Sequence, residues 1–298
     1  MMRVLRCWLL LVCLWPLSGL SASEILLTGS QDSPGVEQFA QALRERRPGD
    51  TVHFVPVTEL KRPSQLNPAV RLILLDSASL EWRLSETAGP AALALRVSRV
   101  QAEQRLGQLR PTYLSLLWSD PPVDRQLRLT RYLLPEARRV GVLYTEHSYF
   151  LVEELRRAAK PMGFEIIAEA WPDLRDSRPL QTLLQNSDVL LGIDDPQLYN
   201  SKTAKNLLLS SYGQQKALIG PNAGFVRAGA LASTLSNQDD WLAVLDRLLD
   251  QSPNKWPRAL YPEHFSVVGN QQVARALGIE SIDAKRAALT LAEGERRP

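Results

Sequence analysis

The chain has 298 residues, about twice the usual domain length, and its 45% hydrophobic content supports large buried cores without cross-links. That content, with 22% charged residues, excludes wholesale disorder and a polytopic membrane protein. Basic side chains number 35 against 32 acidic, a net charge of +3, and they are scattered, which excludes a nucleic-acid or membrane-surface binder.

Arg3 and Arg6 precede an apolar run from Cys7 to Trp15; Pro16 and Gly19 break it, and Ser21-Ala22-Ser23 places small residues before Glu24. A basic start, a short apolar middle and a small-residue exit read as a secretory signal peptide over residues 1–23. A membrane anchor needs about 20 apolar residues, and this run is far shorter. Cys7 and Cys13 both lie inside it, so the exported chain is expected to be cysteine-free and to stand on its core alone.

From Glu24 onward short apolar runs alternate with amphipathic stretches. Glu24 to Thr28 reads as a buried strand ended by Gly29. Ser33 caps a helix with Pro34 in its first turn, and Val36, Phe39, Ala40 and Leu43 form its apolar stripe. Thr51–Val57, Val70–Leu75 and Ala91–Val97 follow as strands, with a helix opening at Asp76 or Ser77. Near Trp118 a second set begins. Val123, Leu127, Thr130 and Leu134 share a helix face that Pro135 stops, and Val140–Tyr144 is the next strand. Leu151 to Met162 predicts a helix closed by Gly163, Phe164–Ala168, Val189–Ile193 and Ala217–Ile219 predict strands, and helices are expected near Pro179–Gln185 and Gln197–Tyr212. The tail carries a short apolar run at Gly229–Ser233, a helix marked by Trp241, Leu245, Leu248 and Leu249, a strand over Glu263–Val268, and a last helix capped by Asn270 and ended by Gly278; Gly294 to Pro298 are expected to be loose. Strands alternating with helices predict parallel sheets covered on both faces, and two such sets predict an α/β chain of two doubly wound lobes with a hinge.

The chain has no strand-linked G-x-S-x-G, H-E-x-x-H, GxxxxGK[ST] or G-x-G-x-x-G, and its histidines, His53, His147 and His264, form no metal-spaced pair. No enzyme activity, metal or cofactor is therefore expected; the rival is a hydrolase using His147 with Ser148 or Glu146. In open α/β sheets ligands bind at the carboxyl ends of the strands, which singles out the strand-to-helix loops. Those loops offer Ser30 and Gln31, then Asp76, Ser77 and Ser79, then Glu146 and His147, and finally Asp194, Asp195 and Asn222 as candidate ligand-binding residues. For the first two loops helix capping is the competing role, and for Asp194-Asp195 a cap explains one of the two carboxylates.

Leu133-Leu134-Pro135-Glu136-Ala137-Arg138-Arg139-Val140-Gly141-Val142-Leu143-Tyr144, Gly192-Ile193-Asp194-Asp195, Phe225 to Ser233, and Asn270 to Gly278 occur in a fixed order. Together they resemble the periplasmic substrate-binding proteins of ABC transporters, in particular the tryptophan- and tyrosine-type family. The resemblance covers roughly Arg110 to Gly278. It implies a type I periplasmic-binding fold, a monomer in the periplasm, and a small polar solute held between the lobes with no nucleic acid involved. Asp194 would pair with a ligand ammonium and the loop Thr145–Ser148 would face it. The partner is an inner-membrane ABC permease, or a receptor or sensor kinase if the protein signals rather than carries. In the first lobe Gln31–Gly35 and Asp76–Leu80 depart from the family's segments. The expected division is a first lobe of residues 24–118 plus about 232–258, and a second of 119–231 plus about 259–298. The acidic loops predict an amine-bearing, amino-acid-like solute.

Overall fold

The computed structural model describes residues 23–107, 109, 111–279 and 281–296; the leader expected over 1–23 lies, apart from Ser23, outside the described residues. Strand β1 (Glu24–Gly29) is buried after its first residue, and the Ser33 hydroxyl accepts the Val36 N–H to start α1 (Pro34–Arg46), as the cap signature predicts. Then come β2 (Thr51–Pro56), β3 (Arg71–Leu74), α2 (Ser77–Leu84) and β4 (Ala92–Val97). Helix α3 (Arg99–Leu106), capped by Ser98, was not foreseen, because its eight residues show little apolar periodicity. Strand β5 (Leu114–Trp118) follows, with Trp118 half-buried against the core.

The second set runs α4 (Val123–Leu133), β6 (Arg139–Tyr144), α5 (Tyr149–Ala159), β7 (Glu165–Ala170), α6 (Arg178–Asn186), β8 (Val189–Leu191), α7 (Ala204–Gly213), β9 (Ala217–Ile219), α8 (Ala223–Ala228) and β10 (Ala232–Leu235). Helix α7 starts seven residues later than its apolar pattern suggests. Asn200 Oδ1 accepts the N–H groups of Lys202 and Thr203 at 2.9 and 3.3 Å, and these local bonds compete with the helix. The chain ends in α9 (Gln238–Leu249), β11 (Ala259–Leu260), β12 (Ser266–Gly269), α10 (Gln271–Ala276) and α11 (Ala284–Arg296). The expected loose end is thus helical as far as Arg296. Ala287 and Leu291 are buried on α11, and Glu295 accepts from Arg125 Nε and Nη2 at 2.5 and 3.0 Å.

The strands form two six-stranded sheets, ordered β11-β5-β4-β3-β1-β2 and β12-β10-β9-β8-β6-β7. Among the described residues only the β10–β12 pair is antiparallel. Helices α1 and α9 cover one face of the first sheet and α2 and α3 the other, while the second sheet shares one core with α4 to α8, α10 and α11. Two sequence boundaries move. Residues 232–235 belong to the second sheet, because β10 pairs with β9 and β12, and residues 259–260 belong to the first, because β11 pairs with β5. Such short strands are placed by their distant partners rather than by local composition. The described chain crosses between the sheets after β5, β10 and β11.

Gly141 lies where a Cβ would come within 2.6 Å of Ser187 Oγ and 2.9 Å of Leu190 Cδ2, so β6 can approach β8 and α6 only without a side chain there. Gly141→Ala is expected to cost about 1–3 kcal/mol by overpacking, read as a lower urea midpoint at unchanged slope.

Candidate functional site

All parallel strands of a sheet end on one edge, where the following helices begin, so the candidate residues fall on the strand ends of the two lobes. They gather into three groups.

In the first lobe, Ser30 donates its N–H and its hydroxyl to Asp76 Oδ2 at 2.6 and 2.7 Å. Asp76 Oδ1 accepts the Ser79 N–H at 2.9 Å and its hydroxyl at 3.0 Å, closing the cap of α2. Burial works against the Asp76 charge, but the Ser30 and Ser79 donors prevail and hold its carboxyl below the usual range. Asp76 is therefore a brace between the loop after β1 and the start of α2, and fully buried Ser79 serves that brace rather than a solute. Ser77 is partly buried and Gln31 exposed on the same edge.

In the second lobe the two adjacent aspartates part company. Asp195 is fully buried: Oδ2 accepts the Thr145 and Ser148 hydroxyls, both at 2.6 Å, and Oδ1 accepts the Gln197 N–H at 2.9 Å. Expected to bind ligand, it is instead committed to joining the β6 and β8 loops. Ser148 is committed with it, its hydroxyl turned to Asp195. Asp194 stays partly accessible, and among the described residues no cation pairs with it. Burial, reinforced by the Asp195 charge and opposed by the nearby Asn222 amide, pushes its carboxyl up to about 6. Asn222 is exposed and caps α8, its Oδ1 accepting the Phe225 N–H at 3.2 Å.

Glu146 and His147 form the third group, exposed on a single turn. They line an open groove of about 690 Å³ with Tyr149, Phe150 and Glu153 of α5 and Gln104 of α3, so they face the other lobe.

The sequence reading missed the residues where the lobes meet. The Arg99 N–H donates to Asp120 Oδ1 at 2.8 Å, and the Arg99 guanidinium forks onto the Glu154 carboxylate of α5, joining α3 of one lobe to the other. Burial works against the Arg99 charge, yet Glu154 and the neighbouring Tyr261 hold it more firmly protonated than usual. Asp120, on the crossing after β5, is 6% exposed; burial first and the Asp194 charge second push its carboxyl up to about 7. Tyr261, on the crossing after β11, buries its hydroxyl beside Arg99, outside hydrogen-bond geometry. Asp120 and Asp194 both line a cavity of about 10 Å³, closed by Val123, Leu151 and Ile193. Close by, Arg96 takes a left-handed backbone (φ 57°) at the irregular end of β4 and stands exposed over an apolar recess of about 180 Å³ lined by Val36, Phe39, Leu75, Leu95 and Trp241. A carboxylate between an apolar strand and two prolines was the one available signal for Asp120.

No family model and no curated protein matches this chain. Solved structures do. The chain is similar to an ABC domain from Streptococcus pneumonia in complex with L-Trp, at 16% identity and a TM-score of 0.58 over 88% of this chain and 97% of that one. It is similar to the ligand-free, open form of a substrate-binding protein with adhesive properties from Clostridium difficile, at 18% identity and a TM-score of 0.66 over 88% and 97% of the two chains. It is also similar to a transcriptional activator of the comK gene from Bacillus halodurans, at 12% identity and a TM-score of 0.52 over 91% and 95%. At these identities the likeness speaks for architecture: the chain has the two-lobed α/β fold of type I periplasmic-binding-like proteins.

Proposed function

We propose that this chain is an exported solute-binding protein that takes a small polar, amine-bearing, amino-acid-like molecule between its lobes and passes it to an inner-membrane ABC permease. The observation that carries the reading is Asp194: a carboxylate at a strand end, at the meeting of two lobes, with no cation of the described protein to neutralise it. A buried charge without a partner is costly, and a solute ammonium supplies the partner. Three crossings join the two sheets, and in this reading they serve as a hinge about which a ligand touching both lobes favours a closed arrangement. The leader-like start and the L-Trp held by a similar fold support the same reading. The Arg99–Glu154 tie already joins the lobes through protein groups alone, which favours a second reading as an envelope sensor whose lobe arrangement is read by a membrane receptor or sensor kinase.

A thermal-shift screen of amino acids, amines and short peptides, with L-tryptophan as the first probe, is expected to raise the melting temperature for amine-bearing compounds; stabilisation only by purely anionic solutes rejects the amine assignment. For a compound that binds, Asp194→Ala is expected to weaken affinity at least tenfold, about 1.4 kcal/mol, by calorimetry, and an unchanged affinity removes Asp194 from the binding site. Asp195→Ala is expected to behave differently, lowering stability by about 2–4 kcal/mol in urea unfolding because the Thr145 and Ser148 hydroxyls lose their acceptor.

A further inference from the structure

We propose that the apolar recess beside Arg96 in the first lobe is a binding site for a small organic acid, whose ring-sized apolar body fills the recess and whose carboxylate pairs with the Arg96 guanidinium. Asp194 does not line this recess, so the site is separate from the proposed ammonium site.

The backbone of β4 puts the arginine there. Ala94 pairs with Leu116 and Val97 with Trp118, so two residues of β4, Leu95 and Arg96, stand where β5 has one. Regular alternation would send Leu95 and Val97 to the same face of the sheet. Instead Leu95 joins the core under α1 and α9, and Val97 joins the core under α2 and α3, with Arg96 as the extra residue of a bulge. Arg96 takes φ 57° to do so, a left-handed backbone that an L side chain adopts at a cost and a glycine adopts freely. The chain keeps a long cation at this place, exposed at the end of a strand. Strain of this kind at a ligand-binding edge is a pointer to function.

The recess itself is apolar. Val36 and Phe39 of α1, Trp241 of α9, and Leu75 and Leu95 at the ends of β3 and β4 enclose about 180 Å³. An apolar space of about 150 Å³ holds a benzene ring, so one aromatic ring or a branched aliphatic group of that size fits here. Water in such a hollow finds few partners, and an apolar group displaces it readily.

The polar groups at the rim are already engaged. The Ser236 hydroxyl donates to the His264 carbonyl at 3.1 Å, and the Ser236 carbonyl accepts the Trp241 Nε1–H at 3.2 Å. Asn237 Oδ1 accepts the Asp240 N–H at 3.0 Å to cap α9. The two acids in the first turn of α9 are turned elsewhere: Asp239 pairs with Arg46 at 3.1 Å, and Asp240 takes the Asn237 N–H at 2.8 Å. Among the described residues no carboxylate pairs with Arg96. One free cation over an otherwise apolar hollow selects a ligand with a single anionic head and an apolar body, and a carboxylate matches the guanidinium fork. An uncharged ring forgoes the pair, and a bare carboxylate forgoes the recess.

Calorimetry on the full chain at neutral pH tests this with three probes at equal ionic strength: sodium phenylacetate, its neutral isostere phenylacetamide, and sodium acetate. Phenylacetate is expected to bind at least about fivefold more tightly than either of the others. No binding of phenylacetate at millimolar concentration, or an affinity matched by phenylacetamide or by acetate, overturns the proposal. Arg96→Gln is expected to bring phenylacetate down to the affinity of phenylacetamide while leaving phenylacetamide unchanged; an unchanged phenylacetate affinity overturns the pairing. Val36→Phe is expected to fill the recess and abolish binding of both ring compounds, and continued binding places the ring elsewhere and overturns the site. Without ligand, Arg96→Gly is expected to melt no lower than the parent, because glycine relieves the left-handed backbone. A clear fall in melting temperature makes Arg96 a structural residue and overturns its assignment to a ligand. Failure of amine-bearing compounds in the thermal screen leaves this site in place, and failure of phenylacetate leaves Asp194 as the proposed ammonium partner.

Discussion

Parallel pairing obliges every strand of a sheet to finish on the same edge, and the helices that return the chain all begin there. This chain builds two such sheets and crosses between them three times among its described residues, so its strand-to-helix loops lie along one edge of each sheet. Everything chemically notable about the molecule follows from that arrangement. The apolar runs of the strands are consumed in three cores, and the polar groups are left to the loops at the strand ends.

Those loops divide their polar groups between holding the edge together and leaving it open. Asp76 and Asp195 play the same part in the two lobes, each a carboxylate that gathers donors from two loops. Their hydrogen bonds convert flexible strand-to-helix turns into a rigid rim. Against that rim Asp120 and Asp194 stand out, because burial pushes both carboxyls up, against the Arg99 donor and charge at Asp120 and the Asn222 amide at Asp194.

The lobes are also tied by the protein's own charges. Arg99 donates from its backbone to Asp120 and from its side chain to Glu154, and its guanidinium lies 5.2 Å from the Phe150 ring. A partly buried fork of this kind is geometrically demanding and breaks when the lobes separate. The groove carrying Glu146 and His147 opens on the same side, so lobe movement reshapes an exposed surface as well as the cavity.

Local signals in the sequence determined the alternation of strands and helices, the Ser33 and Asn270 caps, the doubly wound character of each half and the edges on which a ligand would lie, because hydrophobic period and capping chemistry act over a few residues. Only the tertiary structure decided that β10 serves the second sheet and β11 the first, since strands of four and two residues take their place from distant partners. It alone separated Asp194 from Asp195: neighbours with the same side chain point apart, and what each meets comes from Thr145, Ser148 and Asn222, far away in the chain. It alone brought Arg99, Asp120, Glu154, Asp194 and Tyr261 together, because a pKa or an ion pair is fixed by distance and dielectric in three dimensions, which no linear spacing encodes.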